Sequence, residues 1–292
     1  MKKPRVLLAL MITFGLTASV TGAEKKAAKP APKKEEKPKP KSVFTDKNLE
    51  KAVRQQVFAK RNSEEPLTAD DVAQVAIVTA RGMKIKSLAG LEHCRALASI
   101  DLGDNAISDL TALSGLPRLQ QLILSTNQVT DLAPLKENHA LQYLDLNHNQ
   151  AADLKPLAGL TNLAVLYASD NPVASVAPVV KLPKLYSLYL DRTQLKSVEG
   201  LGQLRRLSSF SAAGNRITDL SPLKGLDSLS FLFLEQNQIQ DLSPLLELLK
   251  GDYEGRQLFA PYLNIHLKGN PLNDASKEAM EKFRREYRTR FR

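Results

Sequence analysis

The sequence is poorest in the residues from which covalent and metal chemistry are built. Its 292 residues include one cysteine, Cys94, which excludes an intramolecular disulfide and a multi-thiolate metal cluster. The four histidines, His93, His139, His148 and His266, show none of the short spacings of zinc or non-haem iron sites, so neither a metal nor another cofactor is expected. After residue 43 no apolar run is long enough to span a bilayer. A basic core is missing too. Lys and Arg exceed Asp and Glu by 41 to 31, but residues 1–42 hold eleven basic and three acidic residues, and residues 274–292 hold seven and four. That leaves 23 basic and 24 acidic residues over 43–273, so the excess charge lies at the two ends and no nucleic-acid partner is expected. What the chain does have is 43% apolar residues, enough to bury a substantial core.

The amino end reads as an export signal. Lys2, Lys3 and Arg5 precede an apolar run from Val6 to Val20, and Thr21, Gly22 and Ala23 supply small residues for cleavage after Ala23. The run is shorter than the roughly 20 residues of a permanent membrane helix. Residues 1–23 are therefore expected to be removed, leaving no membrane span and a secreted or periplasmic protein of a bacterial envelope. No cysteine follows the run, so lipid attachment there is not expected. Residues 24–42 contain eight Lys, three Glu and four Pro without one large apolar side chain. Such a segment cannot form a core. At about 3.1 Å per residue it is expected to act as an extended tether of about 50 Å, with weak contact to anionic envelope polymers.

From residue 97 the chain repeats itself. Asn105, Asn127, Asn149, Asn171, Thr193, Asn215 and Asn237 fall every 22 residues. A frame L-x-x-[LIF]-x-[LA] precedes each, as in Leu119-Leu122-Leu124 and Leu141-Leu144-Leu146; [IVLA]-x-[DS]-[LV] follows, as in Ile107-Ser108-Asp109-Leu110. Alternating Leu-x-Leu predicts a short strand with one face inward, and stacked units pair such strands into a parallel sheet. The Asn amide is expected to serve backbone groups that the turn leaves unpaired. The return segments 131–135, 219–223 and 241–245 all read Asp-Leu-x-Pro-Leu and suit a 3₁₀ turn.

This pattern resembles the internalin-type leucine-rich repeats, whose 22-residue units end in NxIxDLxPLxxL, over roughly residues 43–273. The resemblance implies an α/β fold: a right-handed solenoid with a parallel sheet on its concave side, 3₁₀ or irregular segments on the convex side, and helical caps at both ends. The expected divisions are a cap over 43–74, repeats over 75–273 and a closing helix over 274–292. In the first cap, Phe44, Asp46, Asn48 and Leu49 open a helix burying Leu49, Val53 and Val57, and Thr68 with Asp71 form a capping box. Met83 stands where the first Asn would be, Thr193 replaces an Asn, and Pro172 with Ser175 and Ser197 makes the middle coils the least regular. Asn237 to Asn270 is 33 residues, an insertion of eleven expected within 249–261. Met280, Phe283 and Tyr287 lie on one face of the closing helix.

Residues between the inward leucines face the concave side. They place Tyr143, Tyr167 and Tyr189 on consecutive coils beside Val165 and Ile123, with Asp145, Asp170, Asp191 and Arg192 around them and Phe231 with Phe233 further on. An exposed patch of tyrosines ringed by carboxylates is what a protein-binding surface looks like. Catalysis is not expected: Asp145 and His148 lie near each other in sequence, but no activated Ser or Cys nucleophile accompanies them. The resemblance implies noncatalytic recognition of a protein partner, as by internalins. Two other readings stand beside it. Tyrosine platforms also suit a cell-envelope glycan-binding module, and an uncleaved amino end would suit an intracellular scaffold similar to the phosphatase-regulator leucine-rich repeat proteins.

Overall fold

The computed structural model describes residues 41–287 and 289–292. The expected leader over 1–23 and all but the last two residues of the 24–42 tether lie outside the described residues.

Ten strands form one parallel sheet in strict chain order. They are β1 Ile77–Thr79, β2 Ser99–Asp101, β3 Gln121–Ile123, β4 Tyr143–Asp145, β5 Val165–Tyr167, β6 Ser187–Tyr189, β7 Ser209–Ser211, β8 Phe231–Phe233, β9 Asn264–His266 and β10 Arg290–Phe291. Register is constant, so the middle residues form one column, Val78, Ile100, Leu122, Leu144, Leu166, Leu188, Phe210, Leu232, Ile265 and Phe291. All of these are buried. A coil of this length cannot close a core by itself; each buries its leucines on the next.

The asparagines hold the turns as the repeat predicts. Asn149 Oδ1 accepts the Val129 N–H at 2.9 Å, while its amide nitrogen donates to the carbonyls of Leu124 and Leu146, each at 2.9 Å. Leu124 also accepts from Asn127 at 2.9 Å, so consecutive amides share acceptors and run through the turns as a continuous spine. Thr193 interrupts it: its hydroxyl, with one proton, faces the Leu190 carbonyl at 3.1 Å and Asn215 Oδ1 at 2.7 Å. The Asp of each Asp-Leu pair has its own task. Asp109, Asp131, Asp153, Asp219 and Asp241 each accept, through Oδ1, the N–H two residues on, at 2.8 or 2.9 Å, which opens the return turn. Ser175 and Ser197 do so at the longer distances of 3.2 and 3.1 Å.

Return segments fold as 3₁₀ turns at Thr111–Leu113, Ala133–Leu135, Lys155–Leu157, Leu201–Gln203 and Ser221–Leu223. The coil after Pro172 crosses over through plain turns yet keeps the strand register, so its irregularity is confined to the return side. The expectation for 241–245 is overturned. Those residues lead into a helix, Ser243–Glu254, with Pro244 in its first turn, where a missing N–H costs nothing. Eleven extra residues give this unit length for three turns, and Leu245 and Leu249, four apart, bury one face of them. The insertion thus begins several residues before 249.

Helix α1 is Lys47–Arg54, capped by Asp46, and α2 is Ala69–Val72, closed by the Thr68–Asp71 capping box. With Ser243–Glu254 as α3, helix α4 is Asp274–Tyr287. It ends before the chain does, and the last residues return to the sheet as β10, so the far end is covered by a helix and a strand together. Tyr253 of α3 joins Phe283, Tyr287 and Phe291 in an aromatic cluster, with centroids 4.8 Å apart for Tyr253 and Tyr287 and 4.5 Å for Phe283 and Tyr287.

Candidate functional site on the sheet face

Each three-residue strand points its middle side chain inward and its first and third outward. The outward residues of β3 to β8 form the candidate surface. α1 packs against β1, α4 against β10 and α3, and α3 against the Ser221–Leu223 turn, which keeps the helices to the ends and the return side.

The three tyrosines come together as an edge-to-face ladder rather than an open patch. Tyr143 and Tyr167 have ring centroids 5.6 Å apart at 90°, and Tyr167 and Tyr189 are 4.8 Å apart at 89°. Tyr143 lies diagonally across from Tyr167, because the register places Tyr143 beside Val165 and Asp145 beside Tyr167. All three rings are half-buried and Val165 is buried, so part of the area expected to face solvent is used to fix the rings. Perpendicular pairs of this kind contribute about 0.5–1.5 kcal/mol beyond burial. Ile123, on β3, is half-buried in the third-position column next to Asp145.

Burial pushes the Tyr143 hydroxyl up to about 12, and the Asp145 carboxylate adds to it. Burial also raises the Asp145 carboxyl, against the N–H of Asn147 and the hydroxyl of Ser125, which favour its charged form. Asp145 does not pair with His148. Asn147 N–H donates to Asp145 at 2.9 Å, and His148 Nδ1 lies 3.4 Å from Asp170. Asp170 is instead held by Arg192, whose Nε and Nη2 donate at 2.7 and 2.6 Å, keeping its carboxyl below the usual range. His148, Asp170 and Arg192 occupy the turn after the strand in the left-handed region, at φ 54°, 57° and 50°, as do Asp104 and Thr126. The turn fixes their direction, so this charged row runs along one border of the tyrosine ladder.

Phe231 and Phe233 stack at 6.1 Å and 3°, and Phe233 also packs on His266 at 4.6 Å. The insertion does not fold over them; Phe231 remains 43% exposed. Between Tyr189 and Phe233 the same column holds the small Ser211. The result is a depression of about 630 Å³ lined also by Asp191, Ala213, Glu235 and Lys268. Ser211, Glu235, His266 and Lys268 lie outside the set of candidate residues read from the sequence. The available signal was a small residue between two aromatics at 22-residue spacing.

Cys94 is buried, and burial pushes its thiol up to about 12, which leaves it without a thiolate for chemistry. Among the described residues, no three His, Cys, Asp or Glu side chains gather as metal ligands, and no helix is long and apolar enough to cross a membrane.

Fold and face together define a leucine-rich repeat solenoid. A family model for leucine rich repeats in two copies matches residues 117–159 and 205–247. Among solved structures, the chain is similar to internalin C2 of Listeria monocytogenes, at 29% identity over 80% of this chain and 88% of that one, with a TM-score of 0.57. It is similar also to the internalin InlF of the same organism, at 25% identity over 82% and 86%, with a TM-score of 0.60. A leucine-rich repeat protein of Leptospira interrogans shares the fold at 20% identity, over 69% of this chain and 56% of that one, with a TM-score of 0.52. No curated protein matches the chain. The chain is an internalin-like leucine-rich repeat protein.

Proposed function

We propose that this is an exported, noncatalytic protein that recognises another protein through the outward face of its sheet. The observation that carries the reading is the Tyr143–Tyr167–Tyr189 ladder: three amphipathic rings, fixed by one another before any partner arrives. Rings held this way lose little side-chain entropy on binding, and tyrosine is, with tryptophan and arginine, among the residues enriched at interface hot spots. Perpendicular neighbours offer no run of coplanar ring faces, so the arrangement suits a contoured protein surface better than a stacked sugar chain. Asp145, Asp170, Asp191 and Arg192 supply the polar rim, and Ile123 and Val165 extend the apolar centre.

The test uses the chain as exported, with its amino terminus sequenced to establish cleavage after Ala23. Binding partners are captured from envelope extracts, purified, and titrated against the parent and a Tyr143→Ala/Tyr167→Ala/Tyr189→Ala variant. The variant is expected to lose about 100-fold in affinity, in line with a cluster of interface hot spots. A purified partner that binds both proteins equally refutes the tyrosine face.

A further inference from the structure

We infer that the depression between Tyr189 and Phe233 is a receptor slot for an arginine side chain presented by the partner protein. The inference rests on the reading of the sheet face as a recognition surface and names the chemistry one part of that face selects.

Shape comes first. Tyr189, Ser211 and Phe233 are register partners on β6, β7 and β8. Two strand spacings separate the walls, about 9.6 Å at about 4.8 Å each. A flat group touching both walls at about 3.5–4.0 Å needs only about 7–8 Å, so the lane admits one with about 2 Å to spare and stacks it on one wall at a time. Each wall is braced from its far side, Tyr189 by Tyr167 at 4.8 Å, and Phe233 by His266 at 4.6 Å and by Phe231 at 6.1 Å. The rings are thus held away from the lane over Ser211.

Charge comes second. Asp191 and Glu235 line the slot against the single Lys268. Asp191 Oδ1 already takes the Ala213 N–H at 2.8 Å and the Ser211 hydroxyl, which fixes the carboxylate. Glu235 Oε1 lies 3.3 Å from His266 Nδ1, while its Oε2 is buried with no hydrogen-bond partner. The Glu235 carboxylate therefore has acceptor capacity that its neighbours among the described residues do not use, and its negative charge stands at the slot wall to attract a cation. The group that is flat, cationic, and able to stack on aromatic rings while donating to carboxylates at its edge is guanidinium.

The experiment titrates the full chain with acetyl-Gly-Gly-Arg-Gly-Gly-amide and with the same peptide carrying citrulline or lysine, following the backbone amides of Ala213 and Gln236 by NMR. Arginine is expected to shift both amides saturably. Citrulline, flat but uncharged, is expected to bind at least about tenfold more weakly, and lysine, charged but not flat, about threefold more weakly. Phe233→Ala and Glu235→Gln should each weaken the arginine peptide about fivefold; should Phe233→Ala fail to fold, Glu235→Gln decides. Equal binding of arginine and citrulline peptides, absence of saturable shifts, or indifference to Glu235→Gln overturns the slot. Those failures leave the recognition reading intact wherever a purified partner still depends on the tyrosines. Loss of that dependence with arginine binding retained removes the tyrosine reading and keeps the slot.

Discussion

At the scale of single residues, the repeat depends on a side chain with both an acceptor and two donors on one flat head. Asn149 serves an N–H and two carbonyls at once, and those groups are buried in the turn. Alanine there leaves the buried Val129 N–H without its partner and takes one of two donors from the Leu146 carbonyl, which keeps Asn171 at 2.8 Å, and Asn149→Ala is expected to cost about 2–3 kcal/mol in urea unfolding. The reverse change belongs at Thr193, the one break in the spine. Thr193→Asn is expected to gain about 1 kcal/mol by supplying an oxygen for the Val173 N–H, as its neighbours do at 2.9 to 3.1 Å for theirs. A destabilised Thr193→Asn would show that this coil has settled into a different turn. The spine was legible in the sequence because each amide acts on backbone, and backbone geometry recurs with the period whatever the neighbouring side chains are.

Elements follow the same logic until a contact with a distant element intervenes. In the amino cap the Thr68–Asp71 box was readable because it is local, and it forms, whereas α1 stops at Arg54 and Val57, expected on that helix, is buried just beyond it. Lys60 adds a contact eleven positions away, its ammonium 2.8 Å from Asp71. Burial works to raise the Asp71 carboxyl, but Lys60 and the Thr68 hydroxyl and N–H outweigh it and hold it at about 2, below the ordinary 3.8. The sign is that of a depressed acid: its stabilisation is fully present above about 3.8 and is lost as pH falls through about 2. Asp71→Asn is expected to be the less stable protein at neutral pH and to converge with the parent near pH 2, followed as urea midpoints across the acid range. α3 shows the opposite case. Asp-Leu-Ser-Pro-Leu occurs at both 241–245 and 219–223, yet one leads into a helix and the other into a single 3₁₀ turn. What differs is downstream length, and α3 is held by Tyr253 packing on Tyr287, 34 residues away.

For the molecule as a whole, a solenoid is stabilised by contacts between neighbours, so a defect at one end should stay there. Phe291 places the last ring on the buried column, paired in register with Ile265. Phe291→Ala is expected to speed hydrogen exchange of the amides of β8 and β9 while β2 to β4 keep their protection. Uniform loss along the sheet would mean that the repeats unfold as one block. The same neighbour-to-neighbour construction gives the face its relief. Ten strands in register turn a residue type at one repeat position into a row, and the row of Tyr143, Tyr167 and Tyr189 becomes a ladder, while Tyr189, Ser211 and Phe233 become a slot.

The amino-acid sequence by itself determined the period, the inward column, the spine of asparagines and which residues point outward, because each is set by backbone requirements that recur every 22 residues. The tertiary structure alone decided that the tyrosines brace one another, that Glu235 meets His266 beside an aromatic wall, and that α3, α4 and β10 close the far end together. These depend on side chains from different coils competing for the same space, a competition that periodicity, identical in every coil, does not encode.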